Sequence, residues 1–167
     1  RIRDMIGDTM LFARPPQPHP VAVSLKEAVT EVASALAGDF AATSTRLDVN
    51  IPPELTLWAD RTQLCIVLSS LLKNSLEASQ SGTTIHVRAA ASQPMSMFSI
   101  TDQGHILSEA EREHLFEPFY SGRQAGRGLG FGLSKSWRIV MQHGGRIEVD
   151  STAEKTEFRV FWPAEGI

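Results

Sequence analysis

The stretch GRGLGFGL at residues 126–133 decides how the rest of this chain is interpreted. Glycines occupy alternate positions, and a helical pattern over residues 133–143 follows directly. Alternating glycines let backbone N–H groups converge on an anion, and the N-terminus of the next helix favours negative charge. The spacing differs from the dinucleotide-binding fingerprint, and no Gly-Lys-Ser/Thr follows as in a Walker loop. The stretch therefore predicts a phosphate-binding loop of another kind.

A second motif, KNSLEA at residues 73–78, lies inside a long amphipathic helical pattern. That pattern begins after Asp60, a good N-cap, and extends to about Ser79. The side-chain oxygen of Asn74 can ligate a hard cation such as Mg²⁺. The plainer interpretation is a polar residue on the solvent face of the helix, and for Asn74 alone that interpretation is favoured.

A third motif, Asp102-Gln103-Gly104, comes directly after a strand predicted over residues 95–101. A carboxylate at the end of a strand can accept a hydrogen bond from an exocyclic amine. The glycine beside it lets a flat ring approach the backbone. The alternative is an ordinary Asp-x-Gly turn.

A fourth motif is FEPFYSGR at residues 116–123, where two aromatic residues bracket a proline and lead to Arg123. One interpretation is a loop anchored by its apolar side chains. An anchored loop that brings Arg123 to a phosphate is also a functional lid, so the two interpretations are compatible.

The elements around these motifs follow from periodicity. Helical spacing extends over residues 25–40, with Ser24 as N-cap and Glu27 as its capping-box partner, and a short helix is predicted over 108–116. Strands are predicted over 47–51, 56–59, 83–91, 95–101, 146–151 and 156–162. Strands adjacent in sequence, mixed with helices, predict an α/β two-layer sandwich. Its largely antiparallel mixed sheet is covered by helices on one face.

The composition is that of one globular core. The chain has 167 residues, 42% of them hydrophobic, and a net charge of −3, so no general attraction to nucleic acid is expected. The single cysteine, Cys65, excludes an internal disulfide and fits a reducing, cytoplasmic location. No apolar run approaches the roughly 20 residues that span a bilayer.

The domain organisation is read from the proline-rich stretch PPQPHP at residues 15–20. Residues 1–14 carry one apolar stripe at helical spacing, which the prolines stop. We therefore expect a helix end over 1–14, a stiff linker over 15–23 and a single domain over 24–167.

Together and in this order, the four motifs resemble the N, G1, F and G2 boxes of the catalytic domain of sensor histidine kinases. That family shares its ATP-binding fold, the Bergerat fold, with DNA gyrase and with chaperone and repair ATPases. The F box is particular to histidine kinases within that superfamily. The resemblance extends over essentially the whole chain, and residues 1–14 resemble the end of the second helix of the family's dimerisation hairpin.

The resemblance implies ATP and Mg²⁺ as ligands and assigns roles by position. Asn74 would ligate Mg²⁺, Asp102 would receive the adenine amine, Thr156 would contact adenine through water, and Gly104 would let the adenine sit close. The lid glycines would wrap the phosphates and nearby basic residues would contact them. The further candidate nucleotide-binding residues are Lys73, Ala78, Arg123, Arg127, Gly128, Leu129, Gly130, Gly132 and Leu133.

The phosphate-accepting histidine of this family lies in a His-Glu or His-Asp motif on the hairpin. None of the five histidines of this chain is followed by an acidic residue. The resemblance therefore implies a kinase domain whose acceptor lies elsewhere, on its own dimerisation hairpin in a homodimer. A response-regulator receiver domain would be the later partner, and whether the whole protein is membrane-anchored stays open.

Two positions depart from the family pattern. Ser70 stands where the N box usually has a further asparagine, and Ile106 stands where the G1 box usually has a second glycine. A β-branched residue does not easily take positive φ, so the loop after Asp102 is expected to be stiffer or reshaped. These departures motivate an alternative function, a degenerate nucleotide-binding or docking domain. A free-standing ATPase is disfavoured by the F box.

Overall fold

A computed structural model describes residues 16–104, 106–117 and 132–166 of the chain. Within these ranges, strands and helices alternate along the sequence. They are β1 (Val21–Ser24), α1 (Leu25–Ala35), α2 (Ala37–Ala42), β2 (Arg46–Asn50), β3 (Thr56–Ala59), α3 (Arg61–Ala78), β4 (Thr84–Ala90), β5 (Met95–Asp102), α4 (Glu109–His114), α5 (Gly132–Gln142), β6 (Arg146–Ser151) and β7 (Thr156–Pro163).

The main sheet has five strands in the order β2-β4-β5-β7-β6, and β1 pairs with β3 in a separate two-stranded sheet. β4 pairs with β5, and β6 with β7, as antiparallel neighbours joined by short connections. β2 runs parallel to β4, because β3 and the long helix α3 separate the two strands along the chain. The predicted mixed, mostly antiparallel sheet is confirmed.

Helices cover one face of this sheet, as the alternation along β7 shows. Its inward side chains Thr156, Phe158, Val160 and Trp162 are buried, and the residues between them are not. On the outward face Arg159 pairs with Glu157 at 2.6 Å and with Glu148 at 3.6 Å. A sheet that is apolar on one side and charged on the other needs one covering layer only. The predicted two-layer α/β sandwich is therefore confirmed.

The core lies between α3 and the sheet. Leu64, Leu68, Leu71 and Leu72 of α3 are fully buried, together with Phe98, Ile100, Phe158 and Trp162 of the strands. Each such side chain contributes about 1.5–3 kcal/mol by leaving water. This packing holds α3, which carries the KNSLEA motif, firmly against the strand that ends at Asp102.

Side-chain caps begin the helices where the sequence predicts them. The Ser24 hydroxyl accepts a hydrogen bond from the Glu27 backbone N–H at 3.2 Å, and the Asp60 carboxylate accepts one from Gln63 at 3.1 Å. Ser108 and Glu111 form a full capping box at the start of α4. These local signals fix where α1, α3 and α4 start.

Two predicted boundaries differ in the structure. The helix expected over residues 25–40 is interrupted at Leu36, which takes φ −98° and ψ 4°, and the bend keeps both Leu36 and Phe40 buried. The predicted linker over 15–23 includes most of β1, because Val23 is buried and the strand pairs with β3. In both places tertiary packing overrides a local pattern. No helix within the described ranges is long and apolar enough to cross a membrane.

Candidate nucleotide-binding site

The helix α3 places Asn74 at the border between core and solvent. The core face of the helix is apolar, whereas Lys73 is exposed and Asn74 is half-buried. Ser70 lies one turn earlier on the same side of the helix and is also half-buried. Asn74 is therefore neither buried in the core nor fully exposed, and its role as a ligand stays a prediction.

The strand β5 ends at Asp102, whose side chain is only 1% exposed. One carboxylate oxygen, Oδ1, accepts a hydrogen bond from the backbone N–H of Gly104 at 3.0 Å. A carboxylate held at the end of a central strand in a largely apolar layer is costly unless polar groups satisfy it. Asp102 is therefore buried, unlike the aspartate of an ordinary exposed Asp-x-Gly turn.

Gly104 brings this turn against the end of α3. A Cβ at residue 104 would collide with the carbonyl of Ala78 and lie 2.9 Å from the backbone nitrogen of Ser79. Residue 104 must therefore be glycine for this turn to pack on α3, a requirement that the sequence pattern alone does not indicate. The same contact brings the predicted residue Ala78 beside the predicted residues Asp102 and Gly104.

Thr156, at the start of β7, lies directly opposite Asp102 in the pairing of β5 with β7. It is buried, and its hydroxyl oxygen is 2.8 Å from that of Ser151 at the end of β6. The Ser151 hydroxyl also accepts a hydrogen bond from the backbone N–H of Leu107 at 2.9 Å. Ser151 was missed by sequence reasoning, and only its place at the end of an alternating strand could have pointed to it.

The helix α5 begins at Gly132 and packs beside α3. Leu133 is half-buried against the core. Lys135 lines one cavity of about 500 Å³ together with Ser70 and Lys73 of α3. The first turns of α5 are therefore adjacent to the part of α3 that carries the KNSLEA motif, where the sequence predicts the phosphates.

The remaining predicted residues lie outside the described ranges: Arg123, Arg127, Gly128, Leu129 and Gly130. The second half of the F box, from residue 118 onward, also lies outside them. Phe116, its first aromatic residue, is half-buried and packs against the core, in agreement with the predicted anchor. Their roles at the nucleotide stay predictions.

Three of the described histidines have side-chain hydrogen-bond partners, and the fourth, His19, donates its backbone N–H to Asp60. His86 bonds Asp48 at 3.0 Å, His114 bonds Glu117 at 3.0 Å, and His143 bonds the carbonyl of Ile139 at 2.8 Å. Among the described residues no group of three His, Cys, Asp or Glu side chains could hold a metal ion. The capping and surface roles expected for these histidines are in agreement with the structure.

Cys65 is half-buried on α3. Burial raises the pKa of its thiol, and the nearby Glu31 carboxylate, 3.9 Å away at the sulfur, raises that pKa further. A thiol with a raised pKa is a poor nucleophile at neutral pH. The predicted packing role for Cys65 is consistent with this environment.

The family model for histidine kinase-, DNA gyrase B- and HSP90-like ATPases matches residues 59–166. The chain is 35% identical over 141 residues to the C4-dicarboxylate transport sensor protein DctB of Rhizobium meliloti, covering 82% of this chain and 22% of that protein. It is 31% identical over 112 residues to the signal transduction histidine-protein kinase BaeS of Escherichia coli, covering 65% of this chain and 24% of that protein. The chain thus spans about a quarter of the length of these relatives.

Solved structures share the fold. Full-length ShkA in complex with AMPPNP superposes with a TM-score of 0.84 at 20% identity, covering 99% of this chain and 37% of that one. Histidine kinase ThkA in complex with the response regulator protein TrrA gives a TM-score of 0.83 at 21% identity, covering 99% and 48%.

The family model covers the elements that carry Asn74, Asp102, Gly104 and Thr156, and the match to DctB extends over a larger share of the chain. The chain therefore belongs to the histidine kinase-, DNA gyrase B- and HSP90-like ATPase family, and is an ATP-binding catalytic domain of the sensor histidine kinase kind.

Proposed function

We propose that this domain binds ATP with Mg²⁺ and transfers the γ-phosphate to a histidine on a dimerisation hairpin that this chain does not contain. The observation that carries the proposal is the meeting of three motifs. Asp102 and Gly104 pack against the end of α3 at Ala78, Thr156 lies opposite Asp102, and α5 starts beside α3.

The adenine end of the site is assigned to Asp102 and Thr156. The Asp102 carboxylate accepts from the backbone N–H of Gly104 through Oδ1. A carboxylate has several lone pairs, so it can also accept from the exocyclic amine of adenine. A guanine presents a carbonyl at the equivalent edge, which a carboxylate would repel. This pair of residues would therefore select adenine over guanine.

The phosphate end is assigned to Asn74, Lys73 and the N-terminus of α5. A helix N-terminus favours an anion, and an exposed lysine supplies a point charge that can follow it. Mg²⁺ usually takes one or two protein oxygens and completes its shell with phosphates and water. The half-buried side chain of Asn74 fits that requirement, and the ion would neutralise charge on the phosphates.

Phosphoryl transfer requires mainly that the protein position the nucleophile and the phosphates and stabilise the charge on them. A nitrogen of the acceptor imidazole would form a bond to the γ-phosphorus. The bond from that phosphorus to the bridging oxygen of ADP would break, and ADP would leave with the electron pair. The residues of this chain would hold the base and the phosphates in line and offset the charge.

Partners follow from the same proposal. The acceptor histidine would be on the protein's own hairpin in a homodimer. The phosphoryl group would pass to an aspartate of a receiver domain, as the structure of ThkA with a response regulator protein suggests for this fold. We place this domain in the cytoplasm, where ATP is available, and expect the segments over 1–14 and 15–23 to connect it to the hairpin.

The test adds the hairpin back. The natural protein from its hairpin through residue 167, incubated with radiolabelled ATP and Mg²⁺, should acquire an acid-labile, base-stable phosphate, as a phosphohistidine does. Asp102→Asn should reduce labelling at least tenfold, because it removes a charged acceptor from the adenine site. Asn50→Ala, on an exposed residue at the end of β2, should label normally.

A second function, a non-catalytic docking domain, is favoured by Ser70 and Ile106. Ile106 is 49% exposed and does not have positive φ, since Ser44 is the sole non-glycine residue with positive φ among those described. Ile106 thus stands at the position of the second glycine without a positive φ. Saturable ATP binding with no labelling of the hairpin would identify this function in place of the kinase.

A further inference from the structure

Three polar side chains stand in a row where β6, β7 and β5 meet. Thr156 of β7 lies opposite Ser151 of β6 on one side and opposite Asp102 of β5 on the other. Directly opposite residues of an antiparallel pair project from the same face of a sheet. Asp102 and Thr156 are both buried, so the row lies on the helix-covered face.

This row interrupts an otherwise apolar layer. Further along the same strand, Phe158, Val160 and Trp162 fill the helix-covered face. A polar row there contributes less to packing than apolar residues of the same size, and each member needs hydrogen-bond partners. Its place at the strand ends, beside Gly104 and Ala78, is the adenine end of the proposed site.

Ser151 connects this row to the loop that follows Asp102. Its oxygen accepts from the backbone N–H of Leu107 at 2.9 Å and is 2.8 Å from the Thr156 hydroxyl. Leu107 directly precedes Ser108, whose capping box starts α4. The loop is therefore held at its first turn by Asp102 and at its far end by Ser151.

The geometry also restricts the hydrogen of Thr156. A serine oxygen has one hydrogen and two lone pairs, and the Leu107 amide occupies one lone pair. Either Ser151 donates to Thr156, or Thr156 donates to Ser151. In both arrangements the contact with Ser151 fixes one hydrogen-bonding direction of the Thr156 hydroxyl and so restricts how that hydroxyl is oriented.

We propose that Ser151 is a positioning residue of the nucleotide site, which orients Thr156 and fixes the loop after Asp102 so that the site distinguishes adenine from other bases. This inference rests on the proposed function, because that function supplies the adenine nucleotide that the row would bind. Ser151 acts through Thr156 and Leu107 and has no assigned contact with the base.

The test is a comparison of base selectivity. The chain and its variants are titrated by calorimetry with ATP and with inosine triphosphate, which lacks the exocyclic amine, both with Mg²⁺. Ser151→Ala should weaken ATP binding about three- to tenfold, the value of one hydrogen bond, and weaken inosine triphosphate binding less. The ratio of the two affinities should therefore fall, and Ser151→Thr should restore most of it.

The matched control is Ser99→Ala. Ser99 is a buried serine of the same sheet, within β5 but away from the strand ends. Its substitution should leave the selectivity ratio unchanged, even if the chain loses some stability. A purely structural role for Ser151 would lower stability and both affinities together, and that result would overturn the proposal.

Failure of the two proposals can be told apart. If the unmodified chain binds neither nucleotide, the proposed function fails and the inference falls with it. If the unmodified chain prefers ATP and Ser151→Ala keeps that preference, only the inference fails. Should Ser151→Ala not fold, amide exchange at Leu107 in the unmodified chain decides. Protection that increases with ATP but not with inosine triphosphate supports the proposal, and equal or no protection contradicts it.

Discussion

The imidazole of His143 accepts a hydrogen bond from the backbone N–H of Asp60, with Nε2 and the amide nitrogen 3.1 Å apart. Its other nitrogen, Nδ1, lies 2.8 Å from the carbonyl of Ile139 and must donate to it. His143 is therefore held as a neutral ring with its proton on Nδ1. The contact ties the end of α5 to the start of α3, the two helices that border the proposed phosphate site.

The pKa of His143 should lie below the ordinary value of 6.5, since burial disfavours the charged ring more than Ile139 and Asp60 favour it. Between the folded and the ordinary pKa, the unfolded chain binds a proton that the folded chain does not. Stability should therefore decrease as pH falls below about 6.5, and level off below the folded pKa. NMR titration of the ring and urea unfolding across this range measure both effects.

His143→Gln keeps an acceptor for Asp60 but cannot titrate, so it should flatten the pH dependence of stability in this range. His114 is the matched control, because its hydrogen bond to Glu117 raises its pKa above 6.5. Its contribution to stability is therefore lost as pH rises through this raised pKa. Replacement of His114 by Gln should leave the decrease on the acid side in place. Identical profiles for the two variants would contradict the assignment.

Asp60 should contribute more to stability than an ordinary N-cap. Burial acts to raise the pKa of its carboxyl, but hydrogen bonds from the backbone N–H groups of His19 and Gln63 outweigh burial and hold it below the usual value. The His19 bond, at 3.0 Å, anchors the proline-rich stretch on α3. Asp60→Ala should therefore cost about 2 kcal/mol, at the upper end of the range for N-caps.

The control for Asp60 is Ser24→Ala, which removes a cap with one bond and should cost about 1 kcal/mol in urea unfolding. Limited proteolysis gives a second readout. Asp60→Ala should increase cleavage near residues 16–20, whereas Ser24→Ala should not. Equal costs with no change in cleavage would show that the His19 contact adds nothing.

Gly104 and Gly38 make a matched pair of glycines. A Cβ at Gly104 would meet the backbone of Ala78, whereas a Cβ at Gly38, inside α2, would meet nothing within 4 Å. Gly104→Ala should lower the free energy of unfolding by more than 1 kcal/mol and weaken ATP binding, since the turn must move off α3. Gly38→Ala, in the first turn of α2, should raise stability by about 0.4–1 kcal/mol, because alanine loses less conformational freedom than glycine on folding. Similar thermal unfolding of the two variants would rule out this contact.

The sequence predicts those features that depend on residues close together in the chain. The caps Ser24 and Asp60 act on amides three residues away, so pattern alone located them. Asp102 and Gly104 were recognisable because they are adjacent in a motif. Their contacts with Ala78 and Thr156 were not, because sheet pairing and helix packing create those contacts.

Longer-range polar contacts were beyond sequence reasoning. Ser151 bonds Leu107 across 44 residues, and His143 bonds Asp60 across 83. The residues next to Ser151 and His143 in the sequence do not indicate these partners. The strand β1 was overlooked for a related reason. Its pairing with β3 and the burial of Val23 decide its structure, whereas the neighbouring prolines dominate its local pattern.

Asn74 should make ATP binding depend on Mg²⁺. The unmodified chain should bind ATP more tightly with Mg²⁺ than with EDTA, and Asn74→Ala should lose most of that difference, because one oxygen ligand is removed. Asn50→Ala, an exposed asparagine outside α3, should behave as the unmodified chain does. Equal sensitivity of both variants to EDTA would argue against Asn74 as a ligand. Calorimetric titration with and without EDTA provides the comparison.

The buried Asp102 should be the residue on which adenine-nucleotide binding by this chain depends most. Calorimetry of ATP with Mg²⁺ against the unmodified chain and against Asp102→Asn compares two side chains of nearly equal size. We predict saturable one-site binding by the unmodified chain and at least a tenfold weaker affinity for Asp102→Asn, because a hydrogen bond to a charged acceptor is lost. No heat of binding from the unmodified chain, or equal affinities for the two proteins, would contradict the assignment of Asp102 to the adenine site.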